Sequence, residues 1–409
     1  MQKTELLAPA GNLEKLKFAV TYGADAVYLG GPMWGLRVNA GNFTLEEIAE
    51  GVAFAHDRGA RVYVTVNIIP HNEDLDGLDD YLEILADLGV DAFIVSDPGI
   101  LTVAQQVAPQ VEVHLSTQAN VVNYRSAQFW VQQGVSRLIL ARELSRDEIA
   151  EIGERVDAEL EVFVHGAMCI SYSGRCLLSN YLTGRDANRG ACAQPCRYRY
   201  YLVEEKRPGQ YFPIMEDQRG TYIMNSKDLC LLEHLPELLN LPIAALKIEG
   251  RMKSVHYVAT VTKVYRQAID AYYDNPTQFC VQKEWLEELA KASNRSFTTG
   301  FFLGKPGPDA HVYEGELYER QYEFIGVVQR YDAEKQLLWL EQRNNFQVGD
   351  KLEILQPQGE DDELVIEQMF DENGDAIEVA RHAQMLVAIP CAKPLQPMSL
   401  LRRREQEQG

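Results

Sequence analysis

Four of the seven cysteines in this 409-residue chain stand in one segment, where Cys169, Cys176, Cys192 and Cys196 are spaced C-x6-C-x15-C-x3-C. A fifth, Cys230, follows further along the chain. A zinc ribbon requires tight C-x2-C turns that place two thiolates on one ion, and that pattern is absent. Wider spacing with intervening glycines favours an iron–sulfur cluster, which takes thiolates from well-separated backbone positions. Structural zinc and free or redox-active thiols remain the alternatives.

The segment that holds these cysteines reads HGAMCISYSGRCLLSNYLTGRDANRGACAQPCR. It resembles the signature of the bacterial collagenase-like peptidases, the family of unknown catalytic type called U-thirty-two. Members of that family include oxygen-independent hydroxylases that act on tRNA uridines, on a ribosomal RNA cytidine and on ubiquinone precursors. The resemblance implies a 4Fe-4S cluster on four cysteines, with prephenate supplying the hydroxyl oxygen. It is carried by His165, Gly166, Cys169, Ser173, Gly174, Cys176, Asn188, Gly190, Cys192, Gln194, Cys196 and Arg197.

The same resemblance implies a ligand set. Relatives use the positions that match Cys169, Cys176, Cys192 and Cys230, whereas some use the position of Cys196, so Cys196 is an alternative fourth ligand. The local pattern places Cys230 in the first turns of a helix capped by Asn225 or Ser226. Cys280 and Cys391 match no ligand position and are predicted to be structural.

The implied co-substrate is a dicarboxylate, and arginine suits bidentate recognition of carboxylates. The cationic candidates, each equally compatible with a structural ion pair, are Arg142, Arg175, Arg197 and Arg251, with Lys247 behind them. His165 is expected to donate or accept a proton beside the cluster, or to orient a ligand thiolate. Tyrosines that we consider for stacking on a flipped base are Tyr172, Tyr181 and Tyr198.

These residues need a scaffold, and eight apolar runs separated by helical stretches provide one. The runs read ELLAPAG, DAVYLGG, RVYVTVNI, DAFIVSD, VEVHLSTQ, SRLILAR, ELEVFVHG and IAALKIEG. They are continuous rather than alternating, as expected for strands buried on both faces. Capping-box pairs (Thr44 with Glu47, Ser145 with Glu148) and glycines at the ends of helices mark the intervening stretches. The sequence therefore predicts a (β/α)8 TIM-like barrel.

Such barrels carry their active sites at the C-terminal ends of the strands. Polar residues collect there, although each alone is compatible with a turn or cap: Asn67, Ser96, Asp97, Ser116, Gln118, Arg142, Glu143, His165, Glu249 and Arg251. We take His165, Arg142 and Arg251 as candidate catalytic residues. The candidate substrate-binding residues are Asn67, Gln118, Tyr172, Arg175, Arg197, Lys247 and Glu249.

The predicted domains are a barrel over residues 1–300, with a cysteine-rich insertion after the seventh strand at about 166–230, a linker at 301–314 and a second domain at 315–409. The second domain has short alternating strands and is predicted to be a small antiparallel β-barrel. A helix is expected from Lys253 to Tyr273, with His256, Lys263 and Arg266 as surface charges. The final RRREQEQG is expected to be a frayed tail.

A formal net charge of −21 argues against a general nucleic-acid binder. The stretch from Arg175 to Arg207 nevertheless has an excess of basic residues next to the cysteines. No signal segment or membrane-length apolar run stands out, and the odd, clustered cysteines fit a reducing compartment. A cytoplasmic location is therefore expected.

Three functions are weighed. The first is hydroxylation of a tRNA uridine, expected at the wobble position to give 5-hydroxyuridine, and the additional C-terminal domain favours this tRNA branch of the family. The second is a collagenase-like peptidase, although neither His-Glu-x-x-His nor Gly-x-Ser-x-Gly is present. The third is a non-catalytic iron–sulfur protein that binds RNA or acts as a scaffold. The expected partners of the first are tRNA and a small dicarboxylate, and whether a partner protein is required stays open.

Overall fold

The strands and helices of the N-terminal part of the chain alternate as the sequence predicts. The computed structural model describes residues 3–35, 42–168, 176–185, 192–193, 195, 202–203, 211–212, 215–217, 220–222, 225–293, 295–305, 311–312, 322–359 and 361–405. The strands are β1 (Glu5–Pro9), β2 (Ala26–Gly30), β3 (Arg61–Val66), β4 (Ala92–Val95), β5 (Glu112–Leu115), β6 (Arg137–Ile139), β7 (Glu159–Gly166), β8 (Leu202–Val203), β9 (Tyr211–Phe212), β10 (Met215–Asp217), β11 (Gly220–Tyr222), β12 (Asn225–Ser226), β13 (Asp228–Cys230), β14 (Ala245–Ile248) and β15 (Phe297–Thr298).

The helices lie between these strands and around them. They are α1 (Leu13–Thr21), α2 (Leu45–His56), α3 (Leu78–Asp87), α4 (Pro98–Val107), α5 (Tyr124–Gln132), α6 (Arg146–Arg155), α7 (Leu178–Thr183), α8 (Leu235–Leu239), α9 (Val255–Asp274) and α10 (Lys283–Ala292). Both predicted capping boxes form, at the start of α2 and at the start of α6. The part of the chain that the structure describes contains no helix long and apolar enough to span a membrane.

The eight predicted barrel strands are confirmed. Strands β1 to β7 pair in parallel in sequence order, and β14 pairs with both β7 and β1, which closes the barrel. Residues of β2 and β4 are buried without alternation, because the barrel interior covers one face and the helices cover the other. The C-terminal ends of all eight strands consequently meet at one mouth.

Strand β13 extends the barrel sheet beside β7 and corrects one prediction. Cys230 was expected in a helix, but it lies at the end of β13, which pairs antiparallel with β7 and parallel with β15. The helix itself begins only at Leu235, after a short 3-10 turn, with Pro236 in its first turn. The apolar residues around Cys230 therefore form a strand between β7 and β15. This pairing depends on residues far away in the sequence, so the local helical periodicity could not predict it.

The C-terminal part of the chain forms a curled antiparallel sheet. The strands of this part of the chain are β16 (His311–Val312), β17 (Tyr322–Asp332), β18 (Leu337–Gln342), β19 (Phe346–Gln347), β20 (Lys351–Leu355), β21 (Asp362–Val365), β22 (Met369–Phe370), β23 (Ala376–Ile377), β24 (Val379–Ala380), β25 (Leu386–Pro390) and β26 (Leu400–Arg404). Of these, β16 pairs with β12 and β19 pairs with β24, outside the main sheet. The order in the main sheet is β21-β20-β26-β17-β18-β25-β22-β23. The predicted tail is wrong in its first residues, because Arg402 to Arg404 belong to β26 between β20 and β17.

Helices α9 and α10 pack against this sheet. His256 and Lys263 of α9 were predicted to be surface charges, but both are buried because the sheet covers them. The Lys263 ammonium lies 2.6 Å from the Asp361 carboxylate. Arg402, only 1% exposed, forms a two-pronged ion pair with Glu288 of α10. The two domains therefore share a buried polar interface that the sequence pattern of either domain alone does not show.

Candidate active site at the barrel mouth

His165 lies at the C-terminal end of β7 and is enclosed by aromatic rings. Its ring centre is 5.4 Å from that of Phe297, 5.6 Å from that of Tyr265 and 5.9 Å from that of Tyr257. The residue is 1% exposed, and burial lowers the pKa of its imidazole to about 3. Its Nδ1 atom has no hydrogen-bond partner among the described residues. At neutral pH the ring is therefore uncharged and holds an unused hydrogen-bonding atom.

Cys230 stands directly opposite His165 in the β13–β7 pair. Its Sγ lies 3.9 Å from the hydroxyl of Tyr265, and burial raises the pKa of the thiol to about 11. A buried thiol of this kind becomes a thiolate only beside a compensating positive charge, such as a metal centre.

The other candidate ligands are only partly within the described chain. Cys176 and Cys192 are partly exposed, and Cys230 is buried. Cys169 and Cys196 lie outside the described residues. Within the described ranges, no three His, Cys, Asp or Glu side chains are close enough together to hold a metal ion. The donor chemistry of Cys176, Cys192 and Cys230 fits an iron–sulfur cluster, which takes thiolate ligands.

Arg142 extends from the end of β6 across the mouth towards β7 and β14. Its Nη1 donates a 3.0 Å hydrogen bond to the carbonyl of Ala167, and its Nη2 lies 3.7 Å from the carboxylate of Glu249. The guanidinium carbon is 4.1 Å from the centre of the Phe163 ring. The buried Nε atom has no acceptor among the described residues. Arg142 is thus positioned by its neighbours while part of its donor capacity remains unused.

Glu249, at the end of β14, is held between Arg142 and Tyr28. The Tyr28 hydroxyl lies 3.0 Å from the carbonyl of Ile248 and 3.4 Å from the Glu249 carboxylate. The side chain of Glu249 is 14% exposed. The structure therefore brings Arg142 and Glu249, two of the predicted residues, into one contact at the mouth.

Arg251 follows β14 and reaches across to β3. Its Nη1 donates a 3.1 Å hydrogen bond to Thr65 Oγ1, and the residue is 4% exposed. A Cβ atom on Gly30 would lie 2.3 Å from Nη1 of Arg251, so the missing side chain at this position makes room for the guanidinium. Arg251 thus spans the mouth from β14 to the ends of β2 and β3.

The opposite side of the mouth carries uncharged polar groups. Asn67 Nδ2 donates a 3.1 Å hydrogen bond to Ser116 Oγ, and Ser96 Oγ donates to the Asn67 carbonyl. Gln118 follows β5, and its buried Oε1 has no hydrogen-bond partner within the described ranges. Asn67 and Gln118 therefore lie at the mouth, after the ends of β3 and β5.

Lys247 lies one layer below the mouth. Its Nζ is 2.8 Å from Glu161 Oε1, and it sits 4.2 Å from the centre of the Tyr28 ring. Burial lowers the pKa of Lys247, and Glu161 also contacts Arg137 at 3.3 Å. Lys247 consequently belongs to a buried ion-pair network, and its ammonium is enclosed rather than presented to the mouth.

Three charged residues near His165 were missed by the sequence reasoning. Asp228, only 1% exposed, lies 3.5 Å from Lys253 Nζ and 3.5 Å from Arg295 Nη1. We call these three residues the Asp228 cluster. They are distant in sequence, and only the pairing of β13 with β15 brings them together. The one local indication of this cluster in the sequence was an acidic residue, Asp228, two positions before Cys230.

Outside the described residues lie Cys169, Tyr172, Arg175, Cys196, Arg197 and Tyr198. Tyr181 lies on α7 with 86% of its surface exposed.

Comparison with known proteins identifies the class to which this barrel and its cysteine segment belong. The family model Peptidase family U32 matches residues 11–311, and the model Peptidase family U32 C-terminal domain matches residues 320–402. The chain belongs to peptidase family U32.

Individual relatives indicate which branch of the family this chain resembles. The chain is 50% identical over 402 residues to the tRNA hydroxylation protein P1 of Bacillus subtilis, covering 98% of this chain and 95% of that protein. It is 38% identical to the tRNA hydroxylation protein P of Escherichia coli, covering 97% of this chain and 95% of that protein. The 23S rRNA 5-hydroxycytidine C2501 synthase of Escherichia coli is 40% identical over 66% of this chain and 40% of its own length. The resemblance stated from the cysteine segment is thus confirmed at the level of the family and of its tRNA hydroxylation branch.

Proposed function

We propose that this protein is an RNA-modifying enzyme that hydroxylates a tRNA uridine, at the wobble position, to 5-hydroxyuridine without O2. The observation that carries the proposal is the 50% identity, over nearly the whole chain, to a protein named for tRNA hydroxylation. A relative named for cytidine hydroxylation in ribosomal RNA supports pyrimidine hydroxylation as the shared chemistry. Prephenate as oxygen donor and a 4Fe-4S cluster complete the proposal.

In this proposal the cluster is held by Cys169, Cys176, Cys192 and Cys230, with Cys196 as the alternative fourth ligand. When bound, such a cluster supplies electron transfer or a Lewis-acidic iron. The chain's own task beside it is positioning. Because β13 is paired on both sides, Cys230 is fixed relative to His165 rather than carried on a free loop.

Arg142 and Arg251 are proposed to bind the carboxylates of the dicarboxylate. Arg142 has a buried Nε without an acceptor among the described residues and only a 3.7 Å contact to Glu249. A charge-assisted hydrogen bond to a carboxylate is typically about 2.8 Å long, so a substrate carboxylate would bind Arg142 more strongly than Glu249 does. Asn67, Gln118 and Glu249 would orient the uncharged groups of the substrates.

His165 is proposed to act as a neutral hydrogen-bonding group. With its pKa lowered to about 3 by burial, the imidazole carries no charge at neutral pH. It can therefore offer Nδ1 as one donor or acceptor to a reacting group, and the surrounding rings exclude water from it.

Peptide cleavage by a cysteine–histidine pair is not supported by the same residues. An activated thiol requires a lowered pKa next to an imidazole that accepts its proton. In the described residues Cys230 and His165 are neighbours, but burial raises the pKa of the thiol and lowers that of the imidazole. This is the reverse of what nucleophilic catalysis needs.

Mass spectrometry of tRNA nucleosides tests the proposal. Deleting the gene is expected to remove hydroxyuridine and its derivatives from total tRNA, and expression of the wild-type chain is expected to restore them. In a strain that cannot make prephenate, the same nucleosides are expected to be missing although the protein is present. An unchanged nucleoside profile on deletion would overturn the proposal.

A further inference from the structure

The charges around the barrel mouth are unevenly distributed. The loops that follow β3 and β4 carry Glu73, Asp74, Asp76 and Asp97 and contain no lysine or arginine. The stretch 293–305, on the other side of the mouth, carries Arg295 and Lys305 and contains no acidic residue. This stretch is therefore locally basic, although the chain as a whole has a net charge of −21.

The Asp228 cluster forms the centre of this basic side of the mouth. Two cations, Lys253 and Arg295, face the single carboxylate of Asp228, each at 3.5 Å. Such distances exceed the roughly 2.8 Å of a charge-assisted hydrogen bond. No hydrogen bond engages either cationic head among the described residues, although Lys253 Nζ lies 5.1 Å from the centre of the Tyr257 ring, and Asp228 Oδ1 has no hydrogen-bond donor there. Asp228 therefore holds the two cations close together, but it forms no hydrogen bond of ordinary length with either of them.

The position of the cluster relates it to the chemistry of the mouth. Asp228 begins the strand that ends in Cys230, and Phe297, which contacts the His165 ring, stands opposite Asp228 in β15. The side chain of Lys253 is 31% exposed and that of Arg295 is 14% exposed, whereas Arg142 is 11% exposed and Arg251 is 4% exposed. The cluster is carried by β13, β15 and the residues beside them, which lie outside the closed ring of eight barrel strands. The cluster thus lies beside the mouth rather than inside it.

We propose that Lys227, Lys253, Arg295 and Lys305, which we call the cationic edge, bind the RNA phosphates that flank the target nucleotide. A polyanion needs cations spaced along a surface next to the reaction site, whereas a small dicarboxylate needs them converging within the mouth. The acidic loops after β3 and β4 repel phosphate on the opposite side. The RNA backbone consequently enters over β13 and β15. This inference rests on the proposed function, because it takes RNA as the substrate.

The test measures binding separately from hydroxylation. Fluorescence anisotropy with a labelled unmodified tRNA transcript, at several salt concentrations, gives the affinity of the anaerobically purified full chain and its salt dependence. In the double variant Lys253→Gln/Arg295→Gln, affinity is expected to fall at least about tenfold, and the slope of log affinity against log salt is expected to decrease by roughly two. Lys253→Arg keeps the charge and is expected to retain the wild-type slope.

Removing both partners of buried Asp228 leaves an unpaired charge that can unfold the protein. The second variant, Lys227→Gln/Lys305→Gln, avoids this problem because neither side chain has a hydrogen bond or ion pair among the described residues. It is expected to lower the salt slope by a similar amount at unchanged melting temperature. Lys351→Gln, at an exposed ion pair with Glu363 in the C-terminal sheet, is the matched control and is expected to change neither quantity.

The outcomes separate the two proposals. Wild-type binding to tRNA with the predicted loss in the variants supports the cationic edge, even if no hydroxyuridine is found. An unchanged salt slope in both folded double variants overturns it, even if the wild type hydroxylates tRNA. A change in the requirement for the dicarboxylate alone, with unchanged RNA affinity, also overturns it.

Discussion

Cys230 lies opposite His165 in an antiparallel strand pair at the edge of the barrel mouth. The pair fixes a proposed cluster ligand beside a buried neutral imidazole through main-chain hydrogen bonds. Because β13 is also paired with β15, a metal centre bound at Cys230 would be linked to the segment that leads to the C-terminal domain. The geometry of the described part of the site therefore depends on non-local strand pairing.

Replacement of Cys230 is expected to remove most of the iron. Cys230→Ser keeps the size of the side chain and removes the thiolate that an iron–sulfur cluster requires. The measurement is iron and acid-labile sulfide per chain in protein purified without oxygen. Cys280→Ser, at an exposed cysteine, is the matched control and is expected to retain both. Full iron in Cys230→Ser together with its loss in Cys196→Ser would assign the fourth ligand to Cys196 instead.

Gly30→Ala is expected to displace Arg251. The new Cβ would stand 2.3 Å from the guanidinium Nη1, and the flexible arginine has to move because the barrel backbone cannot. We expect about a tenfold higher KM for the dicarboxylate, corresponding to about 1.4 kcal/mol of lost binding, with little change in melting temperature.

Gly59→Ala provides the comparison for this variant. Gly59 has a φ of 73°, and apart from its chain neighbours no atom lies within 4 Å of the added Cβ, so its substitution costs roughly 1–2 kcal/mol of stability through the backbone alone. Its KM is expected to stay at the wild-type value. Equal KM values for the two variants would contradict the role assigned to the space at Gly30.

The domain interface is expected to weaken in acid. Burial alone would raise the pKa of Glu288, but the two hydrogen bonds from Arg402 hold it below its ordinary value. Because the folded-state pKa is the lower one, the stabilisation is complete above the unfolded pKa of about 4.3 and is lost as pH falls through the folded value. Thermal unfolding between neutral pH and pH of about 3 measures this loss.

Glu288→Gln removes the titrating group from that interface. The variant is expected to be about 2 kcal/mol less stable at neutral pH, because a buried charge-assisted hydrogen-bond pair is lost. Its stability should then fall less steeply in acid than that of the wild type. A variant with the full wild-type acid slope would show that other carboxylates are responsible.

The sequence was sufficient for the barrel because its signals are local. Continuous apolar runs indicated strands buried on both faces, and Thr44 and Ser145 marked the helix starts that the structure shows. His256 and Lys263 were placed on the surface because the helical pattern does not reveal that a second domain covers this face. The RRR sequence has the composition of a tail, yet Arg402 is buried by its pairing with Glu288 across the domain interface.

The site was predictable where polar residues follow barrel strands. Arg142, Glu249, Arg251 and His165 are at the mouth because the topology places every strand end there. The Asp228 cluster was not predictable, since its members come from β13, the loop after β14 and the residues before β15. Lys247 lies only two positions before Glu249 in the sequence, but its ammonium is buried in an ion pair with Glu161 and does not reach the mouth. Which layer of a barrel a side chain enters depends on partners from other strands.

The hydroxyuridine content of tRNA in a deletion strain that expresses Arg142→Gln tests whether the barrel mouth performs the hydroxylation. Arg142 contacts the mouth and no proposed cluster ligand within the described chain, so the variant is expected to keep its iron. Hydroxyuridine is expected to fall at least about tenfold, since bidentate carboxylate binding is lost. Full hydroxyuridine in that variant at wild-type protein and iron levels would contradict it.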